Sequence, residues 1–123
     1  MNFLVTKTKE LHVMVDLETL STKPNAVILT FAAMKFDPCN DARKETEERI
    51  FNSKHSFYKR IDLESCVNLG QAIDDHTIDW WAEQDDIIRE EAFAEDNRHS
   101  IETVLTDFHK WCFGAKAFWS NGS

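Results

Sequence analysis

The chain has 123 residues, 42% of them hydrophobic and 29% charged, which is enough for one globular domain with a single core. Its net charge of −8 argues against a protein that coats long nucleic acid through its phosphates, but less against an enzyme that meets phosphate through a bound metal ion. No apolar run is long enough for a membrane span and no signal-peptide core is present, and three scattered cysteines fit a reducing compartment. We therefore expect a cytoplasmic protein without a membrane partner.

Three strands are predicted in the first half of the chain. Residues 11–18 form an apolar strand that ends in two acids, residues 26–36 are apolar on both faces, and residues 55–62 form the third strand. A strand that is apolar on both faces belongs in the interior of a sheet. Residues 39–53 are rich in charge and are interpreted as a hairpin connection outside the core. Short connections between consecutive strands favour an antiparallel meander.

Helices are predicted in the second half. The acidic pairs at 74–75 and 85–86 can cap two of them. The best helix is 100–113, with Ser100 as its N-cap and Gly114 as its end. Its apolar stripe consists of Ile101, Val104, Leu105, Phe108, Trp111 and Cys112.

A fourth strand is predicted at residues 116–120, which gives the order β-β-β-α-α-β. A helical crossover from the third strand would bring this strand back parallel to the first. The expected fold is an α/β mixed sheet with three antiparallel strands, a helical crossover, and a fourth strand parallel to the first.

The end of the first strand carries the candidate chemistry. Side chains alternate between faces along a strand, so Asp16 and Glu18 share one face with His12 and Met14, with the Cα atoms of the two acids about 7 Å apart. Two carboxylates held together suit a hard divalent cation such as Mg²⁺ or Mn²⁺. The alternative is a strand end with two solvated acids, and these two residues alone do not decide between the readings.

The order of elements, opened by Asp-Leu-Glu-Thr-Leu at 16–20, resembles the ribonuclease H-like fold of the DEDD (DnaQ-like) 3′→5′ exonucleases. The similarity is greatest to the phage and bacterial branch with exonuclease VIII-like and 3′→5′ exoribonuclease domains. Three stretches carry it, at residues 15–26, 58–81 and 118–123. The resemblance implies that residues 1–123 are the N-terminal part of a single ribonuclease H-like domain whose C-terminal part is missing.

The resemblance also implies a function, namely hydrolysis of the terminal phosphodiester at single-stranded DNA or RNA 3′ ends by a two-metal Mg²⁺ or Mn²⁺ site. Asp16 and Glu18 would be the catalytic metal ligands. The pocket of the terminal nucleotide would be lined by Thr19, Leu20, Asn121 and Gly122. The family's third and fourth acids would lie beyond Ser123, so the isolated chain is expected to be weakly active or inactive.

Several alternatives stay open. The chain could instead be a non-catalytic phage or prophage remnant that acts as a binding or interaction module. In either case, the sheet face beside the fourth strand would be left uncovered, and we expect it to favour a homodimer. Trp80 and Trp81 could offer a stacking face for a base, although at least one of them is expected in the core. His12 is expected to be structural, and no residue distinguishes RNA from DNA.

Overall fold

The computed structural model describes residues 10–39 and 54–120, and within these it contains five strands and four helices. The strands are β1 (His12–Thr19), β2 (Ile28–Phe36), β3 (Ser56–Ile61), β4 (Arg98–His99) and β5 (Ala117–Ser120). The helices are α1 (Leu63–Asn68), α2 (Asp75–Ala82), α3 (Asp86–Phe93) and α4 (Ile101–Trp111).

The strands form one sheet in the order β4-β3-β2-β1-β5. β2 pairs antiparallel with β1 and β3, while β5 runs parallel to β1 and β4 runs parallel to β3. This confirms the predicted meander, the interior place of β2 and the parallel return of the last strand, and with them the predicted α/β mixed-sheet fold class. From residue 40 onward, the hairpin connection predicted at 39–53 lies outside the described residues.

One face of the sheet packs against α4 through aromatic rings. The ring centroid of Phe108 lies 4.7 Å from that of Phe31 and 5.5 Å from that of Phe57. Val104 is fully buried at the centre of the same helix face. The predicted stripe is wrong at Leu105, which is 49% exposed because it lies at the rim of the face that meets the sheet.

The predicted helix ends are confirmed by their hydrogen bonds. The side chains of Ser100, Asp74 and Asp85 each accept a hydrogen bond from the backbone amide two or three residues further on. Gly114 follows α4 with φ of +86°, a conformation that favours glycine. In the described parts of the chain, no helix has the length and apolar character needed to cross a bilayer.

The opposite face of the sheet is covered by α2 and α3. Trp81 of α2 is 3% exposed, its ring centroid lies 5.5 Å from that of Phe93 in α3, and its Nε1–H donates to the Thr19 carbonyl oxygen at 3.0 Å. Trp80 is 52% exposed, so the expectation that at least one of the two is core is confirmed. The indole of Trp81 thereby ties the helical layer to the end of β1.

Helix α1 and strand β4 were not predicted from the sequence, and Arg98 accounts for β4. Its guanidinium donates at 2.5 to 3.0 Å to four backbone carbonyl oxygens, those of Leu29, Ile61, Ala92 and Ala94. Burial lowers the pKa of Arg98, and the nearby charge of Arg60 lowers it further. The partly buried Arg98 therefore connects two strands of the sheet to the end of α3.

Candidate active site

The two acids at the end of β1 line one cavity. In the register with β2, Asp16 lies opposite Ala32 and Glu18 lies opposite Thr30, so the four side chains share a face of the sheet. Both carboxylates line a cavity of about 320 Å³ under α3. The prediction that the two acids project together is confirmed, and the small side chain of Ala32 leaves the space open.

The far wall of this cavity is built by residues that the sequence did not single out. Tyr58 of β3 pairs with Ala32, which places it in line with Asp16 across the sheet. Its hydroxyl donates to Oε1 of Glu91 in α3 at 2.7 Å, and Nη2 of Arg60 lies 3.0 Å from the other Glu91 oxygen. Alternation along β3 identifies Tyr58 once the register is known, whereas no sequence pattern marks Glu91.

Tyr58 lines the cavity with a hydroxyl whose proton is donated to Glu91. Burial, and then the hydrogen bond to Glu91, raise the pKa of Tyr58 to about 12. The phenol therefore keeps its proton at neutral pH. Its one hydroxyl proton is donated to Glu91, so the phenol is a poor general base.

The pKa of Glu18 shows the effect of placing the two acids together. Burial, and then repulsion by Asp16, raise the pKa of Glu18 above its ordinary value of 4.5. A divalent cation between the two carboxylates would relieve this repulsion. The acid pair therefore favours the binding of a cation, and without a cation its two negative charges repel each other.

This shift predicts a pH dependence of stability. Between pH 4.5 and the raised pKa of Glu18, the folded chain holds a proton that the unfolded chain has released, so stability falls as the pH rises through this window. In metal-free buffer we expect Glu18→Gln to raise the melting temperature by about 1–3 °C above that window, a small effect because the carboxylate is only partly buried. Thermal unfolding from pH 4 to 8 measures this, with the exposed Glu90→Gln as control. A Glu18→Gln curve parallel to that of the unmodified chain would contradict the prediction.

The strand changes direction directly after Glu18. The register with β2 shifts between Glu18 and Thr19, an irregularity of the kind that re-aims side chains at strand ends. The Thr19 hydroxyl donates to the Ser21 carbonyl oxygen at 2.7 Å. Leu20 is 2% exposed and belongs to the core cluster, so its side chain has almost no surface for a ligand. The roles of Thr19 and Leu20 in nucleotide binding remain predictions, and this burial does not support the one for Leu20.

A second cavity adjoins the first at this strand end. It measures about 410 Å³ and lies between the end of β1 and α2, with Leu17 on the strand side and Trp80 on the helix side. Glu18 and Trp81 line both cavities, so they form the wall that the two share. No sequence pattern predicted two neighbouring cavities.

The remaining predicted residues are placed as follows. The Nδ1 atom of His12 accepts a hydrogen bond from Trp119 Nε1–H at 2.8 Å, and the other ring nitrogen lies 3.0 Å from Glu10, which confirms a structural role. Asn121 and Gly122 lie outside the described residues. The last described residue, Ser120 of β5, pairs with Val15, the neighbour of Asp16.

The acids fit one part of a metal site. Within residues 10–39 and 54–120, no three His, Cys, Asp or Glu side chains converge as ligands. Asp16 and Glu18 nevertheless supply two hard oxygen donors in one cavity, where burial, and then the charge of Asp16, raise the pKa of Glu18. This donor set suits Mg²⁺ or Mn²⁺, which bind through one or two carboxylates together with water and phosphate oxygens.

Comparison with known proteins identifies this chain as a nuclease domain. The family model of the Rv2179c-like 3′-5′ exoribonuclease domain matches residues 11–123, so the chain belongs to that family. A solved structure, that of cell-death related nuclease 4 (CRN-4), matches with a TM-score of 0.46 and 18% sequence identity. The match covers 84% of this chain but 30% of CRN-4, so the chain spans under a third of that nuclease. No curated protein sequence matches the chain.

Proposed function

We propose that this domain is a divalent-metal-dependent 3′→5′ exonuclease that removes nucleotides from single-stranded 3′ ends, with Asp16 and Glu18 as its metal ligands. The observation that carries the proposal is the convergence of the two carboxylates on one cavity in a chain of an exoribonuclease family. The family favours RNA over DNA as the substrate. We also infer that the protein works in the cytoplasm.

The reaction is hydrolysis of the last phosphodiester. Water attacks the phosphorus, the bond to the 3′-oxygen of the preceding nucleotide breaks, and a nucleoside 5′-monophosphate leaves. A divalent cation held by Asp16 and Glu18 would supply Lewis-acid stabilisation of charge on the phosphate and favour deprotonation of the attacking water. Without such a cation, the acid pair would repel the phosphate.

The chain's own residues orient and shield the reacting group. Tyr58 lines the cavity and donates its hydroxyl proton to Glu91, so its oxygen can accept a hydrogen bond from a water molecule in the cavity. Ile87 and Ile88 of α3 add exposed apolar surface to the wall of the same cavity. Arg60 holds Glu91 against Tyr58, which keeps this third carboxylate from turning freely toward the acid pair.

The test is a directional digestion assay. A 5′-labelled single-stranded RNA should shorten stepwise from its 3′ end with Mn²⁺ and stop with EDTA, and a matched DNA should shorten more slowly. The protein is used in excess over RNA so that slow shortening is detected. Internal cuts, or digestion that persists in EDTA, would contradict the proposal.

The second candidate is a binding module without catalysis. It is favoured by the finding that, in the part of the chain that the structure describes, no three acids converge as metal ligands, although Asp16, Glu18 and Glu91 line one cavity. Phe118 and Trp119 on the edge strand β5 are about half exposed, and we propose this edge as the surface for a homodimer. RNA binding without shortening in the assay above, together with a dimer by light scattering, would select this candidate.

A further inference from the structure

We propose that the groove between α2 and α3, with a volume of about 780 Å³, binds an amphipathic helix of another protein whose apolar face is flanked by lysine or arginine side chains. Among their described lining residues, this groove and the cavity of Asp16 and Glu18 share only Trp81. The proposal therefore does not depend on the nuclease reaction. It adds a protein-docking surface beside the candidate active site.

The floor of the groove is apolar. It is formed by residues of α2, of α3 and of the segment after α3, namely Ile78, Trp81, Ala82, Phe93 and Ala94. Ile78 is 39% exposed, so an apolar side chain of a partner can contact it. Phe93 is partly buried and packs edge-to-face on Trp81, with ring centroids 5.5 Å apart, which joins the floor to the core. Apolar surface inside a polar rim is typical of a site that binds another molecule.

The rim of the groove is acidic. Glu90, Glu95 and Asp96 are exposed along it. Asp96 has an ion-pair partner, because Nη1 of Arg60 lies 3.4 Å from its Oδ1. In the described part of the chain, Glu90 and Glu95 have no ion-pair partner. The charges of these two glutamates therefore remain available to a cationic molecule.

One arginine also lines the groove, but its charge is compensated within the chain. Nη2 of Arg89 lies 2.6 Å from a carboxylate oxygen of Asp86. Nη1 donates to the carbonyl oxygens of Ala82 at 2.9 Å and Gln84 at 3.4 Å. A nucleic acid strand or an anionic membrane surface would therefore meet mainly carboxylates in this groove and be repelled. A basic partner is attracted, both by the rim and by the net charge of −8.

The walls of the groove favour a helix over an extended segment. The described lining residues belong to α2, to α3 and to residues 94–96, and none of them belongs to a strand. An extended segment would find no strand edge here to pair with its backbone amides and carbonyls, whereas a helix satisfies these groups internally. The partner therefore presents apolar side chains three and four residues apart, with lysine or arginine on either side of them.

The experiment compares three synthetic peptides, each about 14 residues long and labelled with fluorescein, whose binding to the full chain is read by anisotropy. The first peptide has leucines at helical spacing with lysines beside them. The second has glutamates in place of the lysines, and the third has serines in place of the leucines. We expect the first to bind at least about tenfold more tightly than either of the others, since it alone offers apolar surface and positive charge together. Equal affinity of the first peptide and either of the others would overturn the proposal.

Two charge reversals test the position of the site. Glu90→Lys should weaken binding of the first peptide about 3- to 30-fold, because an attraction at the rim becomes a repulsion. The fold should not suffer, since Glu90 is exposed and a lysine in the last turn of α3 suits the helix dipole. Asp107→Lys makes the same change of net charge on α4, across the sheet, and should change the affinity less than about twofold in about 0.15 M salt. Equal losses in the two variants would mean that only net charge matters and would overturn the docking site.

An NMR titration with the first peptide gives a second readout. The indole N–H of Trp81, which donates to the Thr19 carbonyl oxygen, should shift because Trp81 lines the groove. The indole N–H of Trp111, in α4 on the other face of the sheet, should not shift. Ile78→Ser should lower both the affinity and the shift of Trp81. An unshifted Trp81, or a shift of Trp111 alone, would place the peptide elsewhere and refute the proposal.

Discussion

Replacing Asp16 by asparagine is expected to weaken Mn²⁺ binding at least about tenfold and to lower 3′→5′ cleavage of RNA by about 10²- to 10³-fold. Asparagine keeps the shape of the side chain but removes one of the two charges that favour a cation in the cavity. The folded state should not suffer, because Asp16 is exposed and its charge raises the pKa of Glu18 by repulsion. The melting temperature in metal-free buffer is therefore expected to stay equal or rise slightly.

The matched control is Asp107→Asn, which changes the same groups at an exposed position of α4, on the opposite side of the sheet. It should leave Mn²⁺ affinity and cleavage at the level of the unmodified chain. Calorimetric titration with Mn²⁺ gives the affinity even where cleavage is slow. Equal Mn²⁺ affinities in the Asp16 and Asp107 variants would remove Asp16 from the metal site.

Arg98→Met is expected to lower the free energy of unfolding by about 3–5 kcal/mol, because it deprives four carbonyl oxygens of a charged donor. Methionine keeps most of the apolar stem, so the loss measures the hydrogen bonds more than the volume. For a domain of this size the melting temperature should fall by about 10–25 °C. Urea denaturation followed by tryptophan fluorescence measures the free energy directly.

Arg89→Met provides the comparison at an arginine with fewer carbonyl partners. Arg89 pairs with Asp86 one turn away, with side chains 37% and 80% exposed, and donates to the carbonyl oxygens of Ala82 at 2.9 Å and Gln84 at 3.4 Å. Its removal should cost about 1–2 kcal/mol, less than the loss expected for Arg98. Similar losses of unfolding free energy in the two variants would show that Arg98 does not stabilise the contact of β2 and β3 with α3.

The sheet and the acid pair were predictable because both depend on short-range periodicity. The two-residue period of β1 placed Asp16 and Glu18 on one face, and the two-sided apolar pattern of β2 placed that strand inside the sheet. The caps Ser100 and Asp74 were predictable for a similar reason, since a cap acts on amides two or three residues away.

The missed features depend on contacts distant in sequence. α1 has six residues and no side-chain bond at its N-cap, so it lacks both the length and the cap that a pattern can detect. β4 has two polar residues and is held by Arg98, which binds carbonyls from 4 to 69 positions away. Leu20 looks like a free apolar residue in the sequence, but its amide bonds to the Val27 carbonyl oxygen and directs it into the core.

The parallel pairing of β5 with β1 has a consequence for the order of folding. Trp119 meets His12 across 107 positions of sequence, whereas β1, β2 and β3 pair with their successive neighbours. Closing so long a loop is slow, so we expect the meander to form first and β5 to dock late, which leaves one side of β1 unpaired in between. On the ribosome, one edge of the strand that carries Asp16 would stay unpaired until β5 emerges. We expect chaperones that bind exposed strand edges to act mainly at this stage.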